Sequence, residues 1–351
     1  MSSSIRRILV QFLILFIAFN SYGQTIEEAS ALFARKQLDS ALVAAKSIIE
    51  QDTTAVNAYV LAGRVLVAKK NFAEAFVFLE KAQTFTNAPA YSKAWTFYEL
   101  SQCYYSKGDY KKAKENMSAC IDLNATRNST AAAANTMLKL GFDTLYDSWT
   151  TRETSHFIFH FQDSSAIQNI SNFTQRKEAA FDKINDFFQA KLPKKIDYFV
   201  WSNPTHAESI FKRKLAFTDA SLCLTHTEPE HTVGHEMTHS ISYCAARNAK
   251  WTRFISEGIC VYFDQSTRNN IAALKNKNDT PVSIVDIWKN DSKQGEEILY
   301  PLGGELVKRL IESFGRTKFM LLLADQSYES AKKIYGTELD TIVNKIEKEI
   351  N

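Results

Sequence analysis

The front of the chain has the apolar spacing of paired helices. Three segments can be laid over each other: Lys36-Gln37-Leu38-Asp39-Ser40-Ala41, Lys70-Asn71-Phe72-Ala73-Glu74-Ala75 and Lys107-Gly108-Asp109-Tyr110-Lys111-Lys112-Ala113. In each, a large residue (Leu38, Phe72, Tyr110) stands three positions before a small one (Ala41, Ala75, Ala113). That is the spacing of knobs and gaps between stacked helices. Each segment reads as the turn and the start of the second helix of a pair, with Ala58, Gly63, Ala94 and Ser101 as small positions in first helices. Residues 124–130 read as a turn, and a helix over 131–140 would cap the stack. Beyond about residue 150 the period changes. Residues 154–161 alternate polar and apolar, as a strand does, and 197–201 and 220–225 are two further strand candidates. The spacing predicts a helix over 228–247, with Pro229 in its first turn and Val233, Met237, Ile241 and Cys244 as its apolar stripe. Residues 254–263 are apolar nearly all round, which predicts a buried helix.

The aligned alanines lie 34 and then 38 residues apart. In that period, and in the recurring large and small positions, residues 25–123 resemble tetratricopeptide-type repeats. The resemblance implies an all-α domain of stacked helix pairs with a curved surface. That surface is either a groove for a peptide or protein partner or a brace for the domain that follows.

The chemistry is concentrated in the predicted helix 228–247. His235-Glu236-Met237-Thr238-His239 reads His-Glu-x-x-His, a zinc-and-base arrangement when carried on a helix. Histidines four apart lie one turn above each other and reach one ion from a single element. His235 is about 200° round the helix from Val233, so the histidines face away from the apolar stripe. A catalytic zinc takes three protein ligands and keeps one open position. Ser242 and Ala245 stand where the metzincin pattern needs Gly and His, which excludes that class. Glu257, downstream of His239, sits in the buried helix, where a carboxylate is costly unless paired or bound to metal. It is the candidate third ligand. The proposed roles are then His235, His239 and Glu257 as ligands of one Zn2+ per chain. Glu236 is the base that takes a proton from a metal-activated water and passes it to a leaving amine.

With Ser256-Glu257-Gly258 and the flanking elements, this constellation resembles the gluzincin metallopeptidases of the thermolysin-like peptidase MA superfamily, over about residues 150–351. The resemblance implies an α+β zincin-like domain and hydrolysis of a peptide or protein substrate. It also implies an edge strand at 220–225 that pairs with extended substrate backbone. Tyr300-Pro301-Leu302-Gly303-Gly304-Glu305-Leu306 and Leu310-Ile311-Glu312-Ser313-Phe314-Gly315 resemble the family's closing helices. The Asn-Glu-x-x-Ser-Asp and Gly-x-Met-Glu-Asn motifs of two subfamilies are absent, which leaves endo- or exopeptidase action open. Asp264, seven residues past Glu257, is a candidate for orienting a ligand histidine if the helix persists, against a solvent-facing helix end. Tyr300, Tyr243 and His226 are candidate oxyanion donors. His231 is read as a surface histidine at the helix start, one turn before His235, and His156, His160 and His206 as structural.

Residues 1–23 read as a secretory signal peptide: Arg6 and Arg7, a 12-residue apolar core from Ile8 to Phe19, and small Ser21 and Gly23 before a cleavage point. The apolar core is too short to span a bilayer. The expected product is exported, periplasmic or secreted, with no membrane span. Without Arg6 and Arg7, 40 basic residues face 39 acidic ones, a net charge near +1, and no basic block argues for nucleic acid. The expected domains are a tetratricopeptide-like one over 24–145 and a gluzincin-like one over 146–351. Five cysteines form no scaffold pattern. Cys103 with Cys120, and Cys244 with Cys260, are conceivable pairs, and buried free thiols are the expected state of most. A reading of a different class is an exported protein- or peptide-binding module whose zincin domain is inactive.

Overall fold

The computed structural model describes residues 25–275 and 282–351. The expected leader at 1–23 lies outside the described residues. The chain divides into two compact units between Asp143 and Thr144, against an expected boundary at 145/146.

Among the described residues, the first unit is built of helices. Three helix pairs, α1 (Ile26–Ala34) with α2 (Leu38–Gln51), α3 (Val56–Ala68) with α4 (Phe72–Gln83), and α5 (Ala90–Ser106) with α6 (Tyr110–Leu123), are followed by α7 (Arg127–Lys139). The three aligned segments form the same structure three times. Lys36, Lys70 and Gly108 take left-handed backbone, at φ 60°, 62° and 79°. The next amide in each case donates back five positions: Gln37 N to Leu32 O, Asn71 N to Leu66 O and Asp109 N to Tyr104 O, at 2.9–3.0 Å. This is the Schellman closure of a helix end. Ala41, Ala75 and Ala113 are all fully buried. Gly63 leaves room for Leu79, whose side chain lies 2.5 Å from where a Cβ would stand. The predicted turn at 124–130 is shorter than expected. Thr126 caps α7 by accepting from Ser129 N, so the helix begins at Arg127 rather than 131.

The second unit is a mixed α/β region with a five-stranded sheet in the order β1-β2-β3-β5-β4. The strands are β1 (Thr150–Glu153), β2 (Phe157–Phe161), β3 (Ile196–Val200), β4 (Phe217–Asp219) and β5 (Leu224–Thr227). β2, β3 and β5 run parallel, and β1 and β4 pair antiparallel at the two edges. Every residue of β3 is buried, as expected for a central strand covered on both faces. One face, with Phe157, Phe159, Phe161 and Tyr198, packs on α8 (Ile170–Phe188) and joins the main core. The other is an aromatic layer in which Phe199 stacks on His160 and His226. The short helix α9 (Pro204–Phe211) follows β3.

Two expectations are corrected here. Residues 220–225 are not an edge strand: Ala220–Leu222 is a single 3-10 turn, and β5 lies inside the sheet. The edge next to it is β4, three residues too short to show an alternating pattern. The predicted helix 228–247 is shorter, α10 (His235–Ala245), and Pro229 lies in the preceding loop. Tertiary hydrogen bonds claim that loop's backbone. Lys177 Nζ, on α8, donates to the carbonyls of Thr232 and Val233 at 3.1 Å, and Gly234 N donates to Asp264 O.

The remaining helices are α11 (Arg253–Phe263), α12 (Asn270–Lys275), α13 (Ile284–Lys289), α14 (Glu296–Ala324), α15 (Tyr328–Tyr335) and α16 (Thr337–Ile350). Both segments expected to close the domain lie on α14, which is interrupted at Gly315 by a left-handed φ of 75°. No helix among the described residues is long and apolar enough to cross a membrane.

Candidate metal and acid–base centre

α10 starts at His235, so both histidines and Glu236 stand in its first turns. Glu236 occupies the first turn itself, where the unpaired amides of a helix start favour negative charge. Gly234 is required just before it, because a Cβ there would stand 2.1 Å from Phe263 O at the end of α11. α11 is held equally closely from its other side. A Cβ on Gly258 would meet the backbone of Gly303 on α14 at 2.5 Å, and one on Gly303 would meet Phe254 O at 2.6 Å. This glycine-to-glycine approach of α11 and α14 fixes the height of Glu257, the residue before Gly258.

His235, His239 and Glu257 meet. Glu257 Oε2 lies 3.4 Å from His235 Nε2 and 3.6 Å from His239 Nε2. Two donor atoms each about 2.05 Å from a tetrahedral ion stand roughly 3.3 Å apart. The spacing therefore fits one zinc between the three side chains. Glu257 Oε2 is buried without a hydrogen-bond partner, as an oxygen awaiting a cation would be. Burial raises its pKa, but the two histidines outweigh that and hold the carboxyl well below the usual range. Cys260, one turn along α11 and fully buried, brings its thiol within 4.8 Å of a ring nitrogen of each histidine. Burial pushes this thiol up to about 11, so it is a neutral neighbour of His239 rather than a ready anion. Glu257 and Cys260 both stand where a third ligand beside the two histidines would be.

Glu236 is 5% exposed, and each of its oxygens has a partner. Thr218 Oγ1, on β4, donates to Oε2 at 2.7 Å, and His231 Nε2 stands 3.3 Å from Oε1. Burial would raise Glu236, but His231, His235 and His239 lower it to about 2. No sequence signal pointed to Thr218, which precedes the motif and is brought to it only by the sheet. His231 is corrected from a surface residue to a contact of the Glu236 carboxylate.

Asp264 caps the C-terminal end of α11, which stops before it, so the helix does not persist to this residue. It is 3% exposed, contrary to a solvent-facing helix end, and lines the cleft. Its Oδ1 accepts from Ser266 N at 2.7 Å, and Oδ2 is unpartnered. Tyr300 stacks on His235, with ring centroids 5.7 Å apart, and lines the cleft. Burial and the Glu257 carboxylate raise its phenol, which therefore keeps its proton. His226 is fully buried in the aromatic layer, where its Nδ1 accepts from Trp201 Nε1 at 3.0 Å, and Tyr243 stacks on Trp251. Of the three expected oxyanion donors only Tyr300 faces the site. His156 pairs with Glu178 at 2.6 Å, His160 lies 3.4 Å from Asp197, and His206 faces Gln162 at 3.5 Å, so none of them enters the cleft.

The cleft holds about 560 Å³ and runs along Phe217 and Thr218 of β4. Arg213, Lys214 and Arg268 stand on its wall. β4 has a sheet partner on one side only, so its other edge has backbone amides and carbonyls available.

All five cysteines are free thiols, and neither Cys103 with Cys120 nor Cys244 with Cys260 is bonded. None of the curated proteins matches the chain. Residues 96–127, from within α5 through α6 to the first residue of α7, match the family model for the tetratricopeptide repeat, so the first unit carries a tetratricopeptide-like helical repeat region.

Proposed function

We propose that this chain is an exported zinc-dependent peptidase with a gluzincin-like second unit. The observation that carries this reading is the meeting of His235, His239 and Glu257 at zinc-ligand spacing beside the buried carboxylate of Glu236. A zinc held by those three side chains would supply Lewis acidity for a water and for a substrate carbonyl. Glu236 accepts the proton of that water at a carboxylate oxygen, and Thr218 holds the carboxylate in position by donating to Oε2. The same carboxyl then returns the proton to the departing amine. Tyr300, protonated and beside His235, donates to the developing oxyanion. The free edge of β4 pairs with extended substrate backbone, so recognition rests on main chain.

Glu236→Ala should keep about one zinc per chain, measured by elemental analysis of the full-length protein, and lose nearly all cleavage of a peptide library. Undiminished turnover would exclude this mechanism. Glu257→Ala should weaken zinc binding by roughly tenfold or more while Cys260→Ser leaves it unchanged. The reverse result would make the thiol the third ligand.

The repeat match favours a second role, binding a protein or peptide on the first unit. α1, α3 and α5 together line a pocket of about 280 Å³ with Asn57, Arg64, Tyr91 and Trp95 in its wall. If zinc is absent even after reconstitution at neutral pH, this binding role becomes the function and the second unit an inactive scaffold.

A further inference from the structure

Cys223 and Cys244 are neighbours in space, and the metal centre uses neither of them. Cys223 follows the 3-10 turn and leads into β5, and Cys244 lies in the last turn of α10, five residues past His239. Cys223 lies inside the main apolar core and Cys244 packs against that core, and each thiol is the other's hydrogen-bond partner. Cys223 has left-handed backbone, φ 47°, a conformation that costs a residue with a Cβ about 1–2 kcal/mol and that glycine would adopt freely. Cys223 is fully buried, whereas Cys244 is partly exposed with Arg247 Nη2 3.9 Å from its sulfur. The Cys223 thiol, donating to Cys244, and the Arg247 guanidinium hold Cys244 below the ordinary thiol range against the effect of burial.

We propose that Cys223 and Cys244 are a redox pair that closes to a disulfide, tying the C-terminal turn of α10 to the start of β5. The oxidant is a small-molecule or protein disulfide, as an oxidising compartment supplies. Cys244 thiolate attacks one sulfur of that disulfide, forms a mixed disulfide and releases the first thiolate. Cys223 then loses its proton to solvent and attacks the Cys244 sulfur. The Cys223–Cys244 bond forms, and the second thiolate leaves. Two protein thiols are oxidised as one external disulfide is reduced to two thiols. The remaining cysteines have no part in it: Cys103 and Cys120 lie in the first unit, and Cys260 stands beside His235 and His239. The pair stands independently of the peptidase reading.

The test treats the full-length protein with oxidised glutathione at pH 8, blocks free thiols with N-ethylmaleimide and maps the peptides without reduction. The expected result is one cross-linked peptide joining Cys223 to Cys244, with an intact mass lower by about 2 Da and restored by dithiothreitol. Cys223→Ser should stop at a glutathione adduct on Cys244, and Cys244→Ser should take up no glutathione at all. Oxidation should raise the melting temperature of the second unit by roughly 5–10 °C, reversibly. Both cysteines remaining open to N-ethylmaleimide after oxidation would overturn the proposal, as would a cross-link from Cys244 to Cys260. The peptide map of the unmutated chain decides this even if a variant folds poorly.

Discussion

At the scale of single residues, the candidate site is built from a few buried groups with unusual protonation. Glu236 is ionised in a nearly dry position because three histidines and a helix start surround it. Thr218 fixes which way its carboxylate points. Thr218→Val keeps the side chain's shape and removes that hydrogen bond, so kcat/KM should fall about 10–100-fold with zinc content unchanged. A parallel loss of zinc would mean that Thr218 supports the metal site as a whole. Glu99, in the first unit, shows the opposite balance. It is 5% exposed, and burial raises it to about 7 although Arg64 Nε stands 3.4 Å away. Its folded pKa lies above the unfolded value of about 4.3. The folded state therefore holds the extra proton, and this stability, complete below pH 4, is lost as the pH rises through 7. Urea titrations of the first unit should show that decline between pH 4 and 7, and Glu99→Gln should flatten it. An unchanged slope in the variant would assign the decline to another group.

At the scale of elements, α10 and α11 carry the candidate ligands, and glycines decide how closely they come. Gly258 and Gly303 let α11 and α14 touch backbone to backbone. Gly258→Ala should destabilise the second unit by about 1–3 kcal/mol through overpacking and also weaken zinc affinity, because α11 must move with Glu257 on it. Zinc titration of a variant that still folds separates the two effects, and unchanged affinity would show that Glu257 does not depend on that contact. The elements also differ in how far they could be read in advance. The start of each second helix in the repeats was visible at Leu38, Phe72 and Tyr110, since local turn chemistry and 3.6-residue periodicity lie close together in the chain. The start of α10 was not. Lys177, far upstream on α8, and Asp264, downstream at the end of α11, take the hydrogen bonds that would have prolonged the helix toward Pro229. β4 was missed for a similar reason: three residues define no alternation, and its strand character comes from pairing with β5.

At the scale of the whole molecule, two compact units share one chain. A ligand stabilises the folded unit that binds it by mass action. Zinc at about 1,000 times its dissociation constant should add about 4 kcal/mol to the second unit. Calorimetry of the full-length protein should show the unfolding of the second unit move to lower temperature on chelation, and a shift of the repeat region alone would place the metal elsewhere. Near neighbours in the chain were enough to specify the repeated helix pairs, the His-Glu-x-x-His turn that sets His235 and His239 on one face, and the cost of Glu257 in an apolar helix. Partners remote in the chain settled the rest. Folding brought Glu257 within 3.6 Å of both histidines, set Thr218 and His231 on the Glu236 carboxylate, and removed His226 and Tyr243 from the candidate site. It also placed Cys223 rather than Cys260 against Cys244. Helical periodicity is a property of bonds spanning four residues, whereas sheet order and helix-to-helix approach are settled only when distant surfaces compete for the same core.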